Sequence, residues 1–288
     1  VDAQTRNVLR NLDRFLQSTY KTAANDAIRE NRQALQRIVD YEETDYSYTQ
    51  DSRQRRERIF QDVWRDEATT FYAMAAIVVA AGLVACKRIK NTNTAILERN
   101  YHLTIGSLQH QLGQDGPRWW NFLPRDELQS RIQESAFTKV SFNRLGFNSH
   151  KAKQYIMKRL QSQMMQSILA NEGVDGLQAR IRRLTRSSYY DARRIARTEA
   201  MRCANQGSYE AGEQAYREYG IRTRKIWVHT DTAKNPRDDH RAMNGVAAGD
   251  DGYFVLPNEE RALYPLDPNL SAEQSIHCSC TFYYEVIR

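Results

Sequence analysis

Apolar positions in the first 65 residues are sparse and recur at helical spacing. Leu9, Leu12, Phe15 and Leu16 form one stripe, and Ile28, Leu35, Ile38 and Val39 form another. This pattern predicts long polar helices that pack on one another or on partners. The stretch from Tyr41 to Asp51 is rich in Asp, Glu, Ser, Thr and Tyr and reads as a connector. A second helix opens near Ser52 and carries Ile59, Phe60, Val63 and Trp64. The pattern then changes. Phe71 to Cys86 reads FYAMAAIVVAAGLVAC, without a charge, and Lys87, Arg88 and Lys90 follow at once. This predicts an apolar helix over 68–86. A membrane-spanning helix needs about 20 apolar residues, so a buried core or oligomer-packing helix is the first reading and membrane insertion the alternative. Ala75, Ala76, Ala80, Ala81 and Gly82 allow close helix approach in either setting.

Residues 91–150 are less legible. Asp115-Gly116-Pro117 marks a turn. Trp119, Trp120, Phe122 and Leu123 form an aromatic cluster that belongs in a core or an interface. His102, His110 and His150 are isolated and read as structural. From Ser149 the helical period returns with Tyr155, Ile156, Met157, Leu160, Met164, Ile168 and Leu169. Asn171-Glu172-Gly173 is expected to end this helix, with Gly173 as a left-handed cap. Leu177, Ile181 and Leu184 predict a short helix. Asp191 opens a longer one to about Tyr219, whose stripe includes Ile195, Ala196, Cys203, Ala204, Gly207, Ala211 and Ala215, closed by Gly220.

Beyond Gly220 the chain favours short strands: Ile226-Trp227-Val228, Tyr253 to Leu256 and Thr281 to Ile287. A polar loop follows from Asp231, and a short helix is expected over Arg237 to Asn244, ended by Gly245. Gly249 to Gly252 is a tight turn, and Pro257, Pro265 and Pro268 break the next segment. No internal repeat is visible. The predicted class is α+β. Residues 1–150 form a helical N-terminal region, and residues 151–288 pair helices with a small antiparallel β-region.

Composition changes this picture in two places. The net charge is +7 over 288 residues, yet residues 151–200 alone carry 11 Lys/Arg against 4 Asp/Glu. Such a block is either a solvated helix face or a phosphate-facing surface. On the second reading Arg180, Arg182, Arg183, Arg186, Arg193 and Arg194 contact DNA. The cysteines Cys86, Cys203, Cys278 and Cys280 are too few and too irregular for a disulfide scaffold at this length. A reducing, cytoplasmic site of synthesis follows, and the polar first twenty residues carry no secretory pattern.

The second half holds an ordered set of motifs. Ala196-Arg197-Thr198-Glu199 lies mid-helix, followed by Asn205 and Gly220. Then come Lys225-Ile226-Trp227, Asp231, Arg237, His240 and Gly245, and finally Pro265, Pro268 and Cys278-Ser279-Cys280 before a closing strand. This order resembles the phage Mu protein F-like family of head morphogenesis, or minor head, proteins over roughly residues 151–288. Ser279 departs from the pattern, since the family commonly has Arg between the two cysteines. The resemblance implies a non-enzymatic minor head protein of a tailed bacteriophage, made in the host cytoplasm and carried in the virion near the portal. Head assembly and DNA packaging or delivery would be its work. The portal protein, DNA and other copies of the chain would be its partners. Some members of that family carry a toxin domain after the closing strand, and this chain, which stops at Arg288, is expected to lack one. Within the motif set, Arg197, Thr198, Glu199, Trp227, Asp231 and Arg237 are expected to tie the helix to the β-region. Arg197 and Glu199, two apart on a helix, must find different partners.

The residues themselves raise a metal question. Cys278, Cys280, His240 and either His229 or His277 offer nitrogen and sulfur donors that suit structural zinc. The C-x-C spacing is shorter than the usual one, but alternate residues of a strand share a face. Small core contacts of the same side chains are the competing reading. Two other functions stay open: an ejected virion protein whose apolar helix enters the host membrane, and a metal-dependent nuclease using Asp238, Asp239 and His240 together with His277 and Cys278. No glycine-rich phosphate loop, G-x-S-x-G or H-E-x-x-H is present.

Overall fold

The computed structural model describes residues 3–43, 52–170, 172–230 and 236–287. The class is α+β, with helices dominant and every described strand after Gly220. Helices α1 (Ala3–Glu30), α2 (Arg32–Glu43) and α3 (Ser52–Asp66) follow the sparse stripes, and Leu12, Leu16, Leu35, Ile38, Phe60 and Val63 are buried. The connector expected between Tyr41 and Asp51 lies largely outside the described residues.

Helix α4 runs from Ala68 to Leu112, 45 residues, so the apolar stretch is only its first part. Lys87, Arg88 and Lys90 do not end it, because the stripe continues through Ile96, Leu97, Tyr101, Ile105 and Leu108, all buried. Helices α5 (Arg125–Ser130), α6 (Ala136–Phe142) and α7 (Ser149–Ala170) follow. Helix α8 then spans Val174–Tyr219 without a break, which corrects the expected pair of helices. No glycine or proline falls between Leu184 and Asp191, and Leu184, Ser188, Ala192 and Ile195 keep one buried stripe. Gly173 is not left-handed. It opens α8 instead, its carbonyl accepting the Leu177 N–H at 3.1 Å. Gly220 does close α8 in the left-handed conformation, φ 63°.

Strands β1 (Thr223–Val228) and β4 (Thr281–Val286) pair antiparallel, with Thr223 opposite Val286 and Val228 opposite Thr281. The other edge of β1 is covered by residues 245–248: Gly245 N–H donates to the Trp227 carbonyl and Ala248 N–H to that of Lys225. Between them lie α9 (Asp238–Ala242), the two-residue strands β2 (Phe254–Val255) and β3 (Arg261–Ala262), and α10 (Ala272–Ser275). Strand β3 was not expected; two residues are too few to show a period.

The chain groups into two compact units, each drawing on both halves of the sequence. One comprises Val1–Leu12, Ile89–Lys139 and Arg194–Arg288; the other comprises Asp13–Arg88 and Val140–Arg193. In the second unit the apolar start of α4 is core: Phe71, Met74, Val78 and Val79 pack with Leu35, Ile38, Phe60, Ile156, Leu160 and Ile181. Gly82 is required there, since a Cβ would meet the Leu145 carbonyl oxygen at 1.5 Å. By length and composition α4 could cross a membrane, but half of its most apolar window is buried against the chain's own residues. Burial inside the chain therefore accounts for much of its apolar character.

The first unit is centred on Leu97, Tyr101, Ile105 and Leu108 of α4, the small-residue face of α8, and Trp227, Phe254, Leu266, Phe282 and Tyr284. Small residues on α8 let neighbours approach its backbone. A Cβ on Gly207 would lie 2.2 Å from the Leu97 carbonyl oxygen, and one on Gly212 would enter the Tyr284 ring. Of the aromatic cluster, Trp120 joins this core, whereas Trp119 is 84% exposed and Phe122 50%.

Candidate functional site

The motif residues of the first unit converge between α8 and the β-region. Glu199 and Arg202 are one helical turn apart and both buried. Arg202 Nη1 lies 2.6 and 2.7 Å from the two Glu199 oxygens, and Thr138 Oγ1 donates to the same carboxylate at 2.5 Å. The remaining guanidinium donors reach out of the helix. Nε donates to the Leu266 carbonyl at 3.0 Å and Nη2 to Ser135 Oγ at 3.3 Å. Burial pushes the Glu199 carboxyl above its ordinary range, while Arg202 and Thr138 favour the charged form. Asn205, one turn further, donates to the carbonyls of Pro265 at 2.8 Å and Cys280 at 3.0 Å. Thr198 Oγ1 accepts the His277 N–H at 3.4 Å. The expected tie between helix and β-region thus runs through Thr198, Arg202 and Asn205. Arg197 is exposed and does not carry it, because it falls on the outward face of the helix. Asp231 lies outside the described residues.

Trp227 is fully buried on β1. Its ring meets those of His240 and Phe254 edge-on, with centroids 5.7 and 5.2 Å away. Arg237 precedes α9 and donates to the Ile276 carbonyl at 2.6 Å, which holds α9 against the segment leading to the cysteines.

His240, Cys278 and Cys280 are all buried, and their donor atoms lie within 4.8 Å of one another. His240 Nδ1 is 3.3 Å from Cys278 Sγ and 3.4 Å from Cys280 Sγ. His229, just past β1 and half-buried, places its Nδ1 3.5 Å from Cys280 Sγ. The other imidazole nitrogen of His240, Nε2, faces Gln274 Oε1 at 2.9 Å, and Gln274 Nε2 donates to Asp239 Oδ2 at 3.3 Å. The carboxylate can only accept, so the amide NH₂ points to it and the amide oxygen to the imidazole. Nε2 must then carry the proton, which leaves the Nδ1 lone pair facing the two sulfurs. The Cys278 thiol, hydrogen-bonded to Cys280 and buried, titrates above the ordinary thiol value. Cys280 is held below it by Cys278 and by the imidazoles.

His277 is left-handed, φ 61°, and is not part of the cluster. Its imidazole is kept below its usual value by burial and by Arg194, Arg197 and Arg237. Asp238 is exposed and pairs with Arg241 at 3.2 Å, and Asp239 is occupied in orienting Gln274. Neither carboxylate joins the donor group, so the acidic half of the nuclease reading is not assembled among the described residues.

The basic block of α8 divides. Arg180 is buried in a two-pronged pair with Glu172, at 2.6 and 2.7 Å, and also reaches Gln166. This removes it from the outward face and corrects its place in the DNA-contacting set. Arg193 pairs with Asp13 at 3.0 Å, and Arg194 lies over the Phe137 ring. Arg182, Arg183 and Arg186 are exposed.

Reading along the sequence missed Arg202, Gln274 and Thr138. Arg202 had a signal, since an Arg three residues after a mid-helix Glu on an apolar face can pair with it. Gln274 had none, because its partner is 34 positions away.

A family model described as Phage Mu protein F like protein matches residues 158–283, which contain every described residue of this site except Ser135 and Thr138. The chain is 30% identical over 129 residues to "Uncharacterized protein YqbB" of Bacillus subtilis (strain 168), a match covering 43% of this chain and 42% of that protein. No solved structure matches the chain.

Proposed function

With residues 158–283 carrying the Phage Mu protein F-like pattern, we propose that the protein is a structural component of a bacteriophage head, a minor head protein that acts at the portal vertex in head assembly and in packaging or delivery of DNA. The observation that carries this reading is the family match over the segment that holds the motif set. The geometry is consistent with a scaffolding role: the motif side chains are spent on holding α8, α9 and the C-terminal strand together. Glu199 and Arg202 are closed on each other, and Asn205 is closed on backbone carbonyls. The portal protein is the proposed main partner. DNA is a secondary one, through the exposed Arg182, Arg183 and Arg186, whose phosphate contacts would be independent of sequence.

Deletion of the coding segment from the phage genome tests this. The expected result is particles with a normal shell that are empty of DNA or fail to deliver it, rescued by the chain supplied in trans. Full particles with undiminished infectivity would overturn it.

A further inference from the structure

We propose that His240, Cys278 and Cys280, completed by His229, hold a structural zinc ion that locks the C-terminal β-region in place. Three observations carry this. The first is the donor set. Two thiols and an imidazole, all buried, are brought to one point from segments 38 and 40 positions apart. Sulfur and nitrogen donors select zinc over magnesium or calcium, which take oxygen ligands.

The second is distance. A tetrahedral zinc ion with bonds of about 2.3 Å to sulfur and 2.0–2.1 Å to nitrogen sets its sulfur and nitrogen ligands about 3.5 Å apart. The His240 Nδ1 to Cys278 and Cys280 separations are 3.3 and 3.4 Å, and that of His229 Nδ1 to Cys280 is 3.5 Å. The three-ligand group therefore already has two nitrogen–sulfur edges at coordination length, while His229, outside that group, touches it at Cys280 alone and would move in as the fourth ligand.

The third is the outer shell. Gln274 and Asp239 force the Nε2-protonated tautomer of His240 and aim its Nδ1 lone pair at the sulfurs. A metal-binding histidine needs this support, with its second nitrogen donating to a fixed acceptor. The Cys280 N–H also points at Cys278 Sγ, at 3.4 Å, a contact that stabilises a thiolate. Between β1 and β4 the chain has only one-turn helices and two-residue strands among its described residues. A metal staple would join the end of β1, helix α9 and the start of β4 at one point. Binding would release the thiol protons and leave four protein ligands and no open position, which makes the ion structural rather than catalytic.

The test uses the full chain, purified reduced and without chelator, with metal measured by mass spectrometry. One zinc per chain is expected. Exchange for cobalt(II) should give the thiolate-to-cobalt charge-transfer band and the intense visible bands of a tetrahedral site. C278S, C280S and H240A should each abolish that spectrum. S279A, between the two thiols, should keep it. Q274A should weaken affinity about 10- to 100-fold. For the unmutated chain, a chelator should lower the thermal midpoint, and zinc but not magnesium should restore it. The last arm does not depend on the folding of any variant. The proposal is overturned by a chain that holds only trace zinc, gives no cobalt–thiolate band and melts identically with and without chelator. Recovery of a Cys278–Cys280 disulfide as the resting form, or metal retained by the C278S/C280S double variant, would overturn it equally.

Discussion

Arg202 sits one turn beyond Glu199 on α8, with Nη1 2.6 Å from one carboxylate oxygen and 2.7 Å from the other. The pair is closed off from water. Removing one charge strands the other, and a buried ion left without its partner costs about 3–5 kcal/mol. Glu199→Ala is therefore expected to destabilise the chain by that amount, read from urea midpoints. Replacing both residues by methionine should cost much less, because no charge is left buried. A single variant as mild as the double would contradict the pairing.

Lys225 gives a pH dependence. It is buried beside the rings of Tyr209 and Phe254, and its Nζ donates to the Leu263 carbonyl at 2.7 Å. Burial brings its pKa from 10.5 down to about 8. Between those two values the unfolded chain holds a proton that the folded chain has released. The contribution of Lys225 to stability must then rise with pH across that window. Unfolding free energies measured from about pH 7 to 10 should increase for the native chain relative to Lys225→Met. A difference between the two that stays flat with pH would contradict the assignment.

Much of this arrangement was legible along the chain, and the parts that were not share a cause. Periodicity is a local signal, and it located the helical stretch of α1 and α2 (though not the break between them at Asn31), α3, the apolar start of α4, α7, and the strands around Trp227 and Thr281. It failed where local breakers were given too much weight. Lys87 to Lys90 only charge one face of α4, and Gly173 opens α8 instead of capping α7. The grouping of His240 with the two cysteines was readable as chemistry but not as distance, since 38 positions separate His240 from Cys278. The side chains that orient the group, Gln274 and Asp239, look like ordinary polar loop residues in sequence. Arg180 shows the same limit in reverse. It belongs to a basic block by composition, yet Glu172, eight positions earlier and outside the helix, claims it in a pair that no period announces.

The exposed arginines of α8 make the DNA reading measurable. Removing one arginine–phosphate pairing should flatten the plot of log affinity against log salt by about 0.9. The combined variant R182Q/R183Q/R186Q should bind duplex DNA more weakly than the native chain and with a shallower salt slope, without sequence preference in either. An unchanged slope would remove this face from DNA binding. Arg180→Gln is not a substitute for that test, because it breaks the buried pair with Glu172.

Membership of the phage head at the portal is the central claim, and an asymmetric reconstruction of that vertex in the intact particle tests it most directly. Density fitting α8 and the β1–β4 ribbon against the portal ring is the predicted result. A well-resolved vertex with no such density, together with absence of the chain from the proteins of purified particles, would contradict it.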